Sequence, residues 1–229
     1  MITIERGFDV LLGGLKSGHI TQIYGAPASG KTNLALIATN SALRNGRVIY
    51  IDSEGGFSIE RLKQISGDDP NKFLRNVMLI EPTEFDEQKV AIRKLNDIVP
   101  NSNVKLIVVD SIGALYRLEE NRDIRELGRL FAQLLRISRR YNVPVLVTNQ
   151  VYTDIETGRI IPVGSDVTRY WSKIIIELKI DYEENTRIAI IRRHKFLPEG
   201  LRIEFRIIDS GIEIINSDIM NEIEIYSQK

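Results

Sequence analysis

The sequence predicts an α/β fold with a mostly parallel central sheet, flanking helices and a group of antiparallel strands towards the C-terminus. Three observations carry this expectation. Short β-branched runs alternate with stretches of helical periodicity as far as residue 149, an order that calls for parallel strands joined by crossover helices. The runs at 105–110 and 143–148 are almost wholly apolar, as strands covered on both faces are. After Val151 the strand-like runs follow one another through short connections without helical pattern, which favours hairpins.

Taken in order, residues 19–24 form the first expected strand, followed by a glycine-rich turn. Residues 31–43 then place Leu34, Ile37, Ala38 and Ala42 at helical spacing, and Asn45-Gly46 supplies the stop. A strand over 47–52, a short helix over 58–65 and a strand over 77–80 come next. The helix over 84–98 has Val90, Leu95 and Ile98 among its apolar positions, and the strand at 105–110 precedes a helix over 122–141 and the strand at 143–148. A polar, glycine-containing segment over 152–166 leads to strand-like runs at 173–181, 186–193, 201–208 and 211–215. The expected organisation is one domain: a lead-in over 1–18, a parallel core over 19–151, the loop and antiparallel strands over 152–215, and a tail over 216–229.

Composition narrows the chemistry. The 229 residues include 31 Lys plus Arg, 31 Asp plus Glu, 43% hydrophobic and 27% charged residues, and no cysteine. A chain of this size buries roughly 70% of its unfolded surface, which excludes wholesale disorder. Without cysteine there are no disulfides, thiolate zinc sites, iron–sulfur clusters or thiol nucleophiles, and His19 and His194 are too few for a histidine-rich metal site. No apolar run approaches the roughly 18 residues of a membrane span, and the start Met-Ile-Thr-Ile-Glu-Arg is too polar for a secretory signal. A cytoplasmic protein is expected. Its balanced charge argues against coating nucleic acid by bulk electrostatics and leaves room for a local basic patch.

One motif stands out. Gly25-Ala26-Pro27-Ala28-Ser29-Gly30-Lys31-Thr32 fits G-x-x-x-x-G-K-T and sits between an expected strand and an expected helix. Such glycines let the backbone wrap a phosphate chain, the helix N-terminus adds positive potential, and the lysine reaches the β and γ oxygens. Thr32 is the expected Mg²⁺ ligand, and Asp110, at the end of an apolar strand, the carboxylate that holds the metal through water. Hydrolysis of ATP needs a group to activate water, for which Glu54 is preferred over Asp52; both alternatively read as parts of a solvated turn. Asn149-Gln150 closes the next strand, and Gln150 reads either as a sensor of the γ-phosphate or as a polar strand cap.

The phosphate loop, Ile51-Asp52-Ser53-Glu54-Gly55, Val108-Val109-Asp110-Ser111 and Thr148-Asn149-Gln150, in this order and spacing, resemble the RecA-type recombinase ATPases, specifically the archaeal RadA group. The opening run Gly7 to Leu15, the stretch Phe57 to Leu62 and Leu197-Pro198-Glu199-Gly200 carry the same wording. The chain starts at the ATPase core, without that group's N-terminal helical domain and Phe-x-x-Ala linker, and so is most similar to a short branch of the group. The resemblance implies that Glu54 is the catalytic glutamate, Gln150 the phosphate sensor, and Arg61 the residue packed against adenine. It also implies that the turn at Pro198 is a cap placed over a neighbour's ATP.

DNA contact in that family runs through loops after the strands ending at Asp110 and Gln150. Here the first, about 116–128, mixes Arg117, Arg122 and Arg125 with four acids, and the second, 152–168, contains Arg159. Arg192, Arg193 and Lys195 form the densest basic run, which reads equally as charge guarding a sheet edge. Tyr116, Tyr152, Tyr170 and Trp171 could stack on bases, although Tyr170 and Trp171 fit core packing better. The expected function is that of a slow, Mg²⁺-dependent ATPase in homologous recombination and DNA repair. Its implied partners are ATP, DNA in single-stranded form, the main recombinase RadA and a Holliday-junction resolvase, and its implied assembly a monomer or small oligomer. A KaiC-like regulatory ATPase acting through protein partners without DNA is the rival reading, and a small-molecule kinase a third.

Overall fold

The computed structural model describes residues 14–67, 74–155 and 160–218. Alternation holds through the first part: β1 (Ile20–Gly25), α1 (Lys31–Leu43), β2 (Arg47–Asp52), α2 (Ile59–Ser66), β3 (Val77–Ile80), α3 (Phe85–Ile98), β4 (Val104–Asp110), α4 (Ile124–Tyr141) and β5 (Val145–Asn149). A small hairpin follows, β6 (Val151–Thr153) with β7 (Ile160–Pro162), and then a short helix, α5 (Ser165–Trp171). The chain continues with β8 (Ile174–Asp181), β9 (Thr186–Arg193), β10 (Arg202–Ile208) and β11 (Gly211–Ser217). Local chemistry marks the helix ends: Ser58 accepts the Arg61 amide at 3.0 Å to open α2, and Asp123 accepts the Arg125 amide at 2.9 Å to open α4, each satisfying a donor the helix cannot.

The main sheet runs β11-β10-β9-β8-β1-β5-β4-β2-β3. From β3 through β8 every pairing is parallel, while β8 to β11 are mutually antiparallel. This departs from the expectation that every strand after Val151 is a hairpin strand. β8 lies beside β1 in parallel, and α5 provides the crossover such a connection requires. That helix has seven residues, too few to display a period in the sequence. Of the two aromatics at its end, Trp171 packs against the core as expected, whereas Tyr170 is 68% exposed.

The two faces of the sheet carry separate apolar cores. One packs α1 through Leu34, Ile37 and Ala38 against Val108, Ile176, Ile191, Phe205 and Ile212. α1 is buried nearly all round, meeting β11 as well as the parallel strands. The other core packs Ile92 and Leu95 of α3 and Leu127, Phe131 and Leu134 of α4 on Ile49, Val109 and Val147. No helix among the described residues is long and apolar enough to cross a membrane.

Candidate functional site

The parallel strands β1, β2, β4 and β5 all end at one edge of the sheet, and the candidate residues follow those ends. β1 stops at Gly25, between β8 and β5. A Cβ there would fall 2.5 Å from the Leu178 carbonyl oxygen and 2.8 Å from Ser29 Oγ, so only glycine lets the loop turn so close to β8. Gly30 opens α1 at φ +101° with no side-chain cap, leaving first-turn amides available to an anion. Ser29 Oγ is buried without a hydrogen-bond partner among the described residues. Lys31 Nζ donates to the carbonyls of Gly25 at 3.0 Å and Ala26 at 2.9 Å. Burial lowers the pKa of this amine, against the opposing charges of Glu54 and Asp110.

Asp110 is buried at the end of β4. Its carboxylate accepts hydrogen bonds from the Tyr50 hydroxyl at 2.7 Å and from the Thr148 hydroxyl, and interacts with the Thr32 side chain. Burial pushes its pKa up, and these hydrogen bonds pull it back in part. Tyr50 and Thr148 were not among the residues singled out from the sequence. Register explains both: Asp52 pairs with Asp110 across β2–β4, Tyr50 lies two residues earlier on the same face, and Val109 opposite Val147 brings Thr148 alongside Asp110.

The raised Asp110 pKa has a measurable sign. A carboxyl whose folded pKa lies above its unfolded value adds stability at low pH and loses it as pH rises through the folded pKa. Asp110→Asn escapes that loss, so without metal the variant should gain on the parent as pH climbs from 3.8 towards neutrality. It should also lose any Mg²⁺-dependent rise in melting temperature. A parallel pH dependence of the two melting curves would refute the assignment.

Asp52 and Glu54 part company. Asp52 is buried; its Oδ1 accepts the amides of Glu54 and Gly56 at 3.1 Å each, and its Oδ2 the Phe57 amide at 2.7 Å. With its oxygens on main-chain donors it fixes the turn, and Gly55 at φ +68° completes it. Glu54 remains exposed, close enough to act on the Lys31 charge. A Cβ built on Gly56 would stand 3.4 Å from Thr32 Oγ1 and 3.9 Å from Asp110 Oδ2, which shows how closely the turn approaches the loop. Ser53 Oγ, donating to the Ser111 carbonyl at 2.7 Å, ties the ends of β2 and β4 together.

These residues fit a nucleotide with Mg²⁺. Among the described residues no three His, Cys, Asp or Glu side chains gather as a metal cage. A hydroxyl and one carboxylate beside a phosphate cradle are what Mg²⁺ uses when phosphates and water complete its shell.

Other expected residues fall elsewhere. Gln150, just past β5, accepts a hydrogen bond at 2.6 Å from Arg117, so the candidate sensor touches the first candidate DNA loop directly. The Arg61 guanidinium donates to Asn33 Oδ1 at 2.7 Å, Gln64 Oε1 at 2.9 Å and the carbonyls of Ile208, Asp209 and Gly211 at 2.6, 2.9 and 3.1 Å. It thereby ties α2 and the β10–β11 turn to α1. Arg192 forms an ion pair with buried Glu177, and Arg193 donates to the carbonyls of Arg169 and of Ser172, the latter at 3.2 Å. Lys195 is exposed, its ammonium 5.2 Å from the Phe196 ring centre. Arg159, the run from Gly7 to Gly13 and the tail from residue 219 lie outside the described residues.

Comparison with known proteins gives the family. The model of the Rad51 family matches residues 1–215. A DNA repair and recombination protein RadB from Methanosphaera stadtmanae is 44% identical over 220 residues, covering 93% of this chain and 95% of that protein. The RadB protein of Thermococcus kodakarensis is 44% identical over 217 residues, covering 92% and 97% respectively. A solved structure described as the RadB recombinase superposes with a TM-score of 0.83 at 43% identity, covering 94% of this chain and all of that one. On the family match over residues 1–215 and identities of 44% across nearly the whole chain, the chain belongs to the Rad51 family of RecA-type ATPases, in its RadB branch.

Proposed function

We propose that the chain is a single ATPase domain that binds Mg-ATP and hydrolyses it slowly, using the bound nucleotide as a switch for contact with DNA and with the main recombinase of the cell. The observation that carries this reading is the approach of Lys31, Thr32, Asp110 and the Glu54 turn at one sheet edge. Gly25 to Thr32 would cradle the phosphates. Thr32 and Asp110 would hold Mg²⁺, which when bound neutralises phosphate charge. Tyr50 and Thr148 would keep the Asp110 carboxylate pointed at that position.

In the reaction Glu54 accepts the proton of the attacking water, its carboxylate carried on a turn that Asp52 holds rigid. Lys31 stabilises negative charge at the transferred phosphoryl group. Gln150 lies where a strand end meets Arg117, so a change in its hydrogen bonding on nucleotide binding passes directly to the segment 116–118. That link is the proposed coupling between the nucleotide and the DNA-facing loops. The DNA repair names of the relatives favour nucleic acid over purely protein partners.

Hydrolysis should be slow. Arg61, which reaches α1 through Asn33, is taken up by protein oxygens, and Lys31 is left to face the developing charge. Turnover by the purified chain below about 1 per second is the expected result in a phosphate-release assay, and faster turnover without any partner contradicts the mechanism. ATP-dependent DNA binding, followed together with light scattering, tests the switch itself.

A further inference from the structure

Three buried or half-buried polar residues at the ends of β2 and β4 take no part in the steps above. Ser53, between Asp52 and Glu54, makes a two-way bond with the residue after β4: its Oγ donates to the Ser111 carbonyl at 2.7 Å and accepts the Ser111 amide at 3.0 Å. Its own amide donates to the Asp110 carbonyl at 2.8 Å. The two strands are thereby locked beyond the last pair of their ladder, Asp52 opposite Asp110. One hydroxyl thus fixes the strand end that bears Asp110 against the turn that bears Glu54. Glu54 is near enough for its charge to act on Asp110.

The third member comes from α3. That helix buries Phe85, Ala91, Ile92 and Leu95, and Gln88 is fully buried in their midst. Its Nε2 donates to the same Ser111 carbonyl at 3.3 Å. Its Oε1 has no hydrogen-bond partner among the described residues, and neither has the Ser111 Oγ. A glutamine so placed serves stability poorly, because burying an amide oxygen without a partner costs free energy that an apolar side chain of similar length avoids. Nor does the Ser111 carbonyl need it as a donor, since Ser53 already supplies a shorter bond. What Gln88 adds is direction: the chain just past Asp110 is held from β2 and from α3 at once.

We infer that Ser53 and Gln88 are positioning residues for hydrolysis, gripping the Ser111 carbonyl from two elements so that the Glu54 carboxylate keeps its place relative to Asp110. This role rests on the ATPase reading above and deepens it. Glu54 takes the proton, and these two side chains set where it stands.

Steady-state ATP hydrolysis by the full chain tests this, with kcat and KM for Mg-ATP read separately and a melting temperature recorded for every variant. Ser53→Ala should lower kcat about tenfold or more at a KM within a few-fold of the parent, since misplacing a reacting group slows the step without removing a phosphate contact. Ser53→Thr keeps the hydroxyl and should bring turnover back to within about threefold of the parent. Gln88→Met should melt at or above the parental temperature and still lose about fivefold or more in kcat, a combination that a purely structural glutamine cannot give. In a Glu54→Gln background neither Ser53→Ala nor Gln88→Met should cost more than about a further twofold, because both act through that one carboxylate. Parental kcat in Ser53→Ala and Gln88→Met, beside a disabled Glu54→Gln, overturns the inference and leaves the ATPase reading standing. So does a lowered melting temperature in Gln88→Met, or a full multiplicative loss in the Glu54→Gln background. Parental turnover in Glu54→Gln itself takes down the reading of that residue, and the inference with it.

Discussion

Lys31→Ala abolishes nucleotide binding, with an affinity loss of about 100-fold or more in an equilibrium titration with a fluorescent ATP analogue. The size follows from the site. Lys31 is buried to within 9% of full enclosure, its ammonium rests on two loop carbonyls, and burial already disfavours its charge. A phosphate oxygen offers that ammonium a full negative charge in poorly solvated surroundings, where such pairing is strongest. The alanine removes that side-chain cation from the triphosphate. The fold should survive, because α1 is held by Leu34, Ile37 and Ala38 on the sheet, and a melting curve near the parent's checks this. Parental affinity in the variant would remove the basis for the whole nucleotide assignment.

Glu54→Gln separates binding from turnover. Affinity for Mg-ATP stays within a few-fold of the parent, while hydrolysis falls by about 10²- to 10⁴-fold, the usual contribution of a positioned general base. The amide keeps the size and polarity of the carboxylate and loses only the ability to take a proton. Because Asp52, not Glu54, holds the turn, the substitution touches no structural hydrogen bond of that segment. Single-turnover phosphate release reads the chemical step directly. An unchanged rate would transfer the role of base to another group and leave the phosphate cradle intact.

Much of the molecule could be read before any coordinates. The strand and helix alternation up to Asn149 was legible because buried parallel strands are written as uninterrupted β-branched runs and their crossover helices as periodic ones. The ends of β2, β3 and β9 coincide with the expected spans. The phosphate loop was legible because its backbone demands, two glycines and a helix start, are local. What escaped was short or non-local. α5 spans only two turns, and β6 and β7 have three residues each, so neither leaves a period. The parallel placement of β8 depends on which edge of the sheet is open, a property of the assembled layer.

The roles of particular polar residues divide in the same way. Spacing brought Lys31, Thr32, Glu54 and Asp110 forward as candidates, since each follows a strand end that a parallel sheet must turn to one side. It favoured Glu54 over Asp52 but held no reason for it in the fold, since that reason is three main-chain amides closing on the Asp52 carboxylate. Nor could it pick out Tyr50 and Thr148, which reach Asp110 from neighbouring strands 60 and 38 residues away in sequence. Arg192 and Arg193 read as a free basic run in one dimension, yet a buried glutamate and helix-end carbonyls occupy them in three.

The amino-acid order alone therefore determined the class of fold, the phosphate loop and the kinship, since all three rest on patterns confined to a strand, a turn or a helix. Tertiary structure decided which carboxylate braces and which is free to act, which cations are spent and which face solvent, and which strand joins β1. Those outcomes depend on burial and on hydrogen bonds between segments far apart in the chain, and such energies exist only once the sheet has formed.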